Sequence, residues 1–291
     1  MLVHVLAILC NVLWSLSYVF YKDSTHFLTP SAIVFWRYTL GILFMLPILV
    51  LLRLQIREQT DWSKTRQILW SAFVIGAVGY FLTPFIKLYG IMDSRATSAG
   101  ILVVTTPVCT MFLAWIFLRE RLSKNSIWGI VLVCIGVLIL SGVAQSGLLA
   151  GELLPNLVIL FSIVIESVQG PVAKLAVQVI HPFLLAFFAY IVGSLMALVW
   201  NFGASESLSA SAGEFPWMGI LYLSLVCTTV ANTLWYWVVQ KMPLSKAAVY
   251  IYIQPVGSAL FAWFWLGEHF GFSDLMAFGL IFVGIYLAQK N

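Results

Sequence analysis

The sequence predicts an all-α polytopic membrane protein, with ten transmembrane helices in two inverted five-helix repeats. Three observations predict it: charge is scarce, the apolar runs are long enough to cross a bilayer, and polar landmarks recur between the two halves. Of the 291 residues, 62% are hydrophobic and 9% charged. A soluble domain carries about 25% charged residues, so this chain has too few to cover a water-facing surface. Lipid must be the solvent for most of it. A spanning helix needs about 20 apolar residues, which leaves room for about ten spans and short loops but no separate soluble domain. Helices satisfy their own backbone in lipid. A barrel would need short alternating strands, and these runs are continuous.

Hydropathy places the spans at 3–21, 31–52, 67–89, 96–118, 126–143, 154–174, 182–203, 215–238, 245–266 and 274–288. The first has no basic n-region and no small-residue cleavage site, so it reads as a structural helix rather than a signal peptide. Trp62, Trp70, Trp128, Trp200 and Trp217 fall near span ends, as an interfacial aromatic belt requires. Cys10, Cys109, Cys134 and Cys227 are scattered through apolar segments without a C-x-x-C pair. They read as buried free thiols rather than a metal or disulfide framework. The net charge of +4 sits in short loops and gives no case for nucleic acid.

The halves resemble each other. At an offset of 152, Ser15, Lys22, Pro30, Phe35, Tyr38 and Gly41 fall on Ser167, Lys174, Pro182, Phe187, Tyr190 and Gly193. At an offset of 148, Ala99, Pro107, Ala114, Trp115, Leu118, Glu120 and Gly136 fall on Ala247, Pro255, Ala262, Trp263, Leu266, Glu268 and Gly284. The repeats are therefore expected at 1–143 and 154–291. Five spans each would make the second enter the membrane upside down. The loops agree: Arg53, Arg57, Lys64 and Arg66 follow the second span, while the matching loop at 204–214 has no Lys or Arg and carries Glu206 and Glu214. Arg119, Arg121 and Lys124 surround Glu120, and no Lys or Arg surrounds Glu268. Equivalent loops with opposite bias satisfy the positive-inside rule for an inverted pair, with both termini cytoplasmic. Lys22 and Arg95 are exceptions on the outside, and Arg37 and Lys87 lie within spans near it. Secondary transporters commonly have inverted repeats, with substrate bound near the midplane between halves.

Candidate site residues follow from polar stripes in apolar helices. Asn11, Ser15, Tyr18 and Lys22 are spaced to share one face of the first span. Gly76, Tyr80, Thr83 and Lys87 repeat that spacing in the third span, and Thr106 precedes Pro107 in the fourth. The eighth offers Thr228, Asn232 and Tyr236; the ninth offers Lys246, Tyr250, Gln254 and Gly257. Such faces avoid lipid. Interhelical hydrogen bonds worth about 0.6 kcal/mol each explain any one residue, whereas four stripes together favour a polar cavity. Glu166 is a carboxylate near the middle of the sixth span, with Gln169 on the same face. It is the coupling candidate, to bind a substrate amino group or carry a proton; a structural ion pair with Arg37 or Lys87 is the competing reading. Pro107 and Pro255, at midspan, are hinge candidates because each removes a helical hydrogen bond. Glu120 and Glu268 are expected to cap the next helix or pair with nearby basic residues.

Trp14-Ser15 followed by Lys22, Pro107, and the turn Leu118-Arg119-Glu120-Arg121-Leu122-Ser123 have counterparts in Pro255 and Leu266-Gly267-Glu268-His269-Phe270. Together they resemble the EamA-like branch of the drug/metabolite transporter superfamily, over essentially the whole chain. The family's usual turn is Leu-Gly-Glu-Arg, from which Arg119 and His269 depart; Glu166 replaces a tryptophan typical of its position. The resemblance implies a multi-pass protein of a prokaryotic cytoplasmic membrane. It also implies export of amino acids or related amines by alternating access, with proton coupling as a family-level expectation. Expected partners are a small-molecule substrate, the lipid bilayer and protons, in a monomer or homodimer without metal or cofactor. A flippase for lipid-linked substrates is the alternative, and a channel is a more distant one. No zinc, Asp-rich diphosphate or phosphate-loop motif supports an enzyme.

Overall fold

The computed structural model describes residues 2–106, 153–209, 215–241, 249–268 and 271–289, with isolated positions between 109 and 139 and at 247. The predicted span at 126–143, most of that at 96–118, Pro107 and Glu120 lie outside the described residues. Among the described residues all regular structure is helical. Of the described helices, six are long and apolar enough to cross a membrane. They are α1 (Leu2–Ser24), α2 (Pro30–Leu51), α3 (Trp62–Met92), α5 (Leu153–Ala176), α6 (Pro182–Gly203) and α7 (Trp217–Lys241). Shorter helices include α4 (Ala96–Leu102), α8 (Ile253–Leu266) and α9 (Phe272–Gln289). All five predicted belt tryptophans are exposed.

Local chemistry sets the helix starts. Thr29 and His181 are the N-caps of α2 and α6: the Thr29 hydroxyl accepts from the Ala32 amide, and His181 Nδ1 accepts from the Phe183 amide, both at 3.3 Å. Pro30 and Pro182 follow, where a missing N–H costs nothing. The α1 and α5 helices each break at an equivalent point. Ser15 Oγ donates to the Asn11 carbonyl at 2.8 Å, and Ser167 Oγ donates to the Ile163 carbonyl at 2.8 Å. Such back-bonding bends a helix, and regular α geometry lapses at Leu16 and at 167–168. The polar stripe expected along α1 is therefore interrupted.

The α3 and α7 helices widen to π geometry over Ile75–Leu82 and Tyr222–Asn232. Pro84 lacks an N–H for the turn before it, which accounts for the first. Thr229 Oγ1 donates to the Ser224 carbonyl at 2.9 Å beside the second. These segments pack where two glycines bring helices together. A Cβ on Gly41 would lie 2.9 Å from Thr228 Cγ2, and one on Gly193 would lie 2.9 Å from Tyr80 Cβ. Thus α2 crosses α7 as α6 crosses α3, and α2 also packs along α6.

A further recurrence joins the helix ends. Lys22 Nζ donates to the Ile91 and Met92 carbonyls at 3.0 and 2.7 Å, and Lys174 Nζ donates to the Val239 carbonyl at 2.5 Å. Each lysine meets orphan carbonyls at a helix C-terminus, where a cation is favoured. Both pairs obey the offsets of 152 and 148 read from the sequence.

Candidate substrate site

The polar interior forms three connected groups. In the first, Gln254 Nε2 of α8 donates to Asn11 Oδ1 at 2.7 Å, and the Tyr18 hydroxyl donates to Gln254 Oε1 at 3.3 Å. Asn11 Nδ2 donates to the Ala7 carbonyl at 2.8 Å. His4 Nδ1 and the Tyr250 hydroxyl hydrogen-bond at 2.5 Å at the start of α1. In the second, the hydroxyls of Tyr80 and Tyr236 hydrogen-bond to each other, and Gln169 Nε2 donates to Tyr236 at 3.1 Å. Gly79 makes room for that amide: a Cβ there would lie 2.5 Å from it. Tyr38 and Tyr190 stack at 5.5 Å and both meet the Tyr80 ring. Asn232 lies beside the Tyr190 hydroxyl, which donates to the Thr228 carbonyl at 2.7 Å.

The third group is ionic. Lys87 Nζ of α3 donates to Glu166 Oε2 of α5 at 2.6 Å. Of the two partners expected for Glu166, the structure thus provides Lys87. The Glu166 side chain keeps 34% of its surface accessible and Lys87 keeps 10%. A charged carboxylate at this depth ordinarily faces the bundle interior or a water-filled cavity rather than lipid. Thr83, one turn from Lys87, is buried and its hydroxyl has no hydrogen-bond partner among the described residues. Such an atom needs a water or a ligand to offset its desolvation.

Other expected residues stand apart. Ser15 spends its hydroxyl inside α1, and Thr106 Oγ1 donates to the Val103 carbonyl at 2.6 Å. The Thr106 carbonyl faces Ser167 Oγ at 3.5 Å, at the α5 break. Pro255 is the third residue of α8 and directly follows a 3-10 turn at Val249–Tyr252, so regular α geometry lapses just ahead of it, where the proline withdraws an N–H. Glu268 was expected to cap its own following helix or meet a basic residue. It accepts instead from the amides of Ala96 and Thr97 and from Thr97 Oγ1, at 2.8, 3.0 and 2.7 Å. Beside it, Arg95 and Asp274 form a two-bond pair at 3.0 and 2.8 Å. An open concavity of about 450 Å³ lies away from this network, lined by Arg53, Arg57, Trp62 and apolar neighbours.

Sequence reasoning did not select Arg37, Tyr38 or Tyr190 for the site. Arg37 carried a signal, as a cation inside an apolar run; the tyrosines read as packing.

A bundle of spanning helices with tyrosines, amides and an ion pair inside it defines a polytopic membrane protein with a polar interior. The profile of the EamA-like transporter family matches residues 1–142 and 153–289, and the chain belongs to that family. It is 26% identical over 251 residues to the uncharacterized transporter YetK of Bacillus subtilis, covering 85% of this chain and 76% of that one. It is 23% identical over 279 residues to an uncharacterized transporter of Archaeoglobus fulgidus, covering 96% and 95%. A solved crystal structure shares the fold at a TM-score of 0.69 and 18% identity, covering 99% of this chain and 96% of that one.

Proposed function

We propose that this transporter exports small amphiphilic metabolites, amino acids or related amines, across a prokaryotic cytoplasmic membrane by alternating access. In this reading residues 1–143 and 154–291 are two inverted five-helix halves with both termini cytoplasmic. The substrate occupies the polar interior between them, among Tyr18, Tyr80, Gln169, Tyr236 and Gln254. Pro107 and Pro255 mark the bends about which the halves rock, and Glu166 is the coupling group. The observation that carries the reading is the Lys87–Glu166 pair: an accessible midspan carboxylate held by a cation from the other half. A proton or a substrate ammonium arriving at Glu166 releases Lys87, which links loading to a rearrangement between α3 and α5.

Counterflow in vesicles tests it. Vesicles preloaded with an unlabelled amino acid or amine should accumulate the labelled compound, and an imposed pH gradient should drive net movement. Glu166→Gln should abolish the gradient-driven component and keep exchange. If Glu166→Gln transports with full gradient dependence, Glu166 is structural. If no soluble compound exchanges but a lipid-linked one changes leaflet, the protein is a flippase.

A further inference from the structure

Arg37 lies in α2 with 7% of its surface exposed. Its Nε donates to Thr228 Oγ1 at 2.6 Å, and its guanidinium carbon stands 5.2 Å from the centroids of both Tyr21 and Tyr38. These contacts occupy Nε and the flat face of the group. Its terminal nitrogens have neither a hydrogen-bond acceptor nor a carboxylate within ion-pair distance among the described residues. A guanidinium does not shed its proton, and charged residues inside spanning helices ordinarily pair with one another or face a wet cavity. The midspan carboxylate that would serve, Glu166, is held by Lys87.

The cation is also held in place. Two tyrosine faces and one hydroxyl fix its plane, and the free edge is the fork that matches a carboxylate with two parallel N–H bonds. Tyr38, beside the guanidinium, meets the ring of Tyr80 in α3, the helix whose Lys87 holds Glu166. A tyrosine-lined region thus connects the fork, unneutralised among the described residues, to the ion pair with its accessible carboxylate.

We propose that Arg37 binds the carboxylate of the transported substrate, so that the site takes compounds with an acid group near an amine and excludes simple amines. This rests on the transporter reading above and narrows its substrate class. The ammonium end then meets Glu166, and the chain between the two groups lies against the tyrosine rings.

The test uses purified full-length protein and matched sets of probes: the common amino acids, their decarboxylated amines and their deaminated acids. Binding is read from ligand-dependent thermal stabilisation, and exchange from counterflow. Wild type should bind one or more amino acids about 10–100-fold more tightly than the corresponding amine, the range of a charge-assisted bond. In Arg37→Gln the amine should bind as before and the amino acid no better than the amine. Arg37→Lys keeps the charge without the fork and should lose about tenfold of the preference; it also serves should Arg37→Gln not fold. If either variant keeps the full preference, Arg37 is structural and the transporter reading stands. If wild type prefers amines over amino acids, the carboxylate assignment fails alone. If wild type neither binds nor exchanges any probe, this assignment and the reading beneath it fall together.

Discussion

Glu166 and Lys87 illustrate what one residue can decide. A charge at the centre of a spanning helix costs about 2.5–3.5 kcal/mol on insertion scales, and here each offsets the other at 2.6 Å. Removing one partner strands the other. Lys87→Gln should destabilise the protein by about 2 kcal/mol, below the 3–5 kcal/mol of a fully buried pair because Glu166 is partly accessible. The double variant with Glu166→Gln should be more stable than Lys87→Gln alone. Denaturant unfolding of the three proteins measures this, and simple additivity would mean that the pair is not coupled. Glu166 was legible in the sequence because an acid in an apolar run has no ordinary reason to be there. Lys87 was legible only as one of two partners, since hydropathy does not say which helices touch. The tyrosines around Arg37 were not legible: an aromatic in a span packs against lipid, protein or substrate equally well, and only the fold decides.

At the scale of the element, the limits of the six long described helices were readable to within about five residues because Pro30 and Pro182 mark starts and the apolar runs mark lengths. The π segments were not. They arise where Pro84 withdraws a donor and where Thr229 bonds inside its helix, and their consequence is tertiary. The crossings at Gly41 and Gly193 fall on them, at Thr228 and Tyr80. Gly193→Val should push Tyr80 away and cost about 1–3 kcal/mol, as overpacking does, with the fluorescence of a buried tyrosine or the melting temperature as the measure. A melting temperature equal to wild type would mean that the crossing can yield. The start of α6 should respond to pH. Burial lowers the His181 pKa below its ordinary 6.5, so the folded state favours the neutral ring that accepts from Phe183. That stabilisation is complete above the ordinary histidine range and declines as pH falls below 6.5 toward the lowered value. His181→Asn keeps an acceptor at the cap and should flatten the melting temperature between pH 7 and 5, on the order of the histidine range.

For the whole molecule, one end of the bundle is fastened where Arg95 meets Asp274 and Glu268 meets the start of α4. If the halves rock, this end must part. The variant pair Asp274→Asn with Glu268→Gln should favour the open form. A cysteine placed at Ser98, buried in the structure, should then react faster with a water-soluble thiol reagent than it does in the parent. Equal rates would mean that the fastening does not gate access. The offsets counted in the sequence were the most legible feature at this scale: they recur as contacts, Lys22 with Ile91 and Lys174 with Val239. What the offsets could not show was that α2 would meet α7 and α6 would meet α3.

That exchange of partners bears on how the protein is made. The flat face at Gly41 is matched by Thr228, and the face of Tyr80 by Gly193. More than a hundred residues separate each first-half surface from its partner, and at about 5–20 residues per second of synthesis the delay is on the order of ten seconds. Through that interval the Gly41 face of α2 and the Tyr80 face of α3 stand in the bilayer without their later partners. These two crossings close only after the ribosome has delivered both halves. Two half-length chains made together should therefore assemble in the membrane, whereas either alone becomes a substrate for proteolytic quality control.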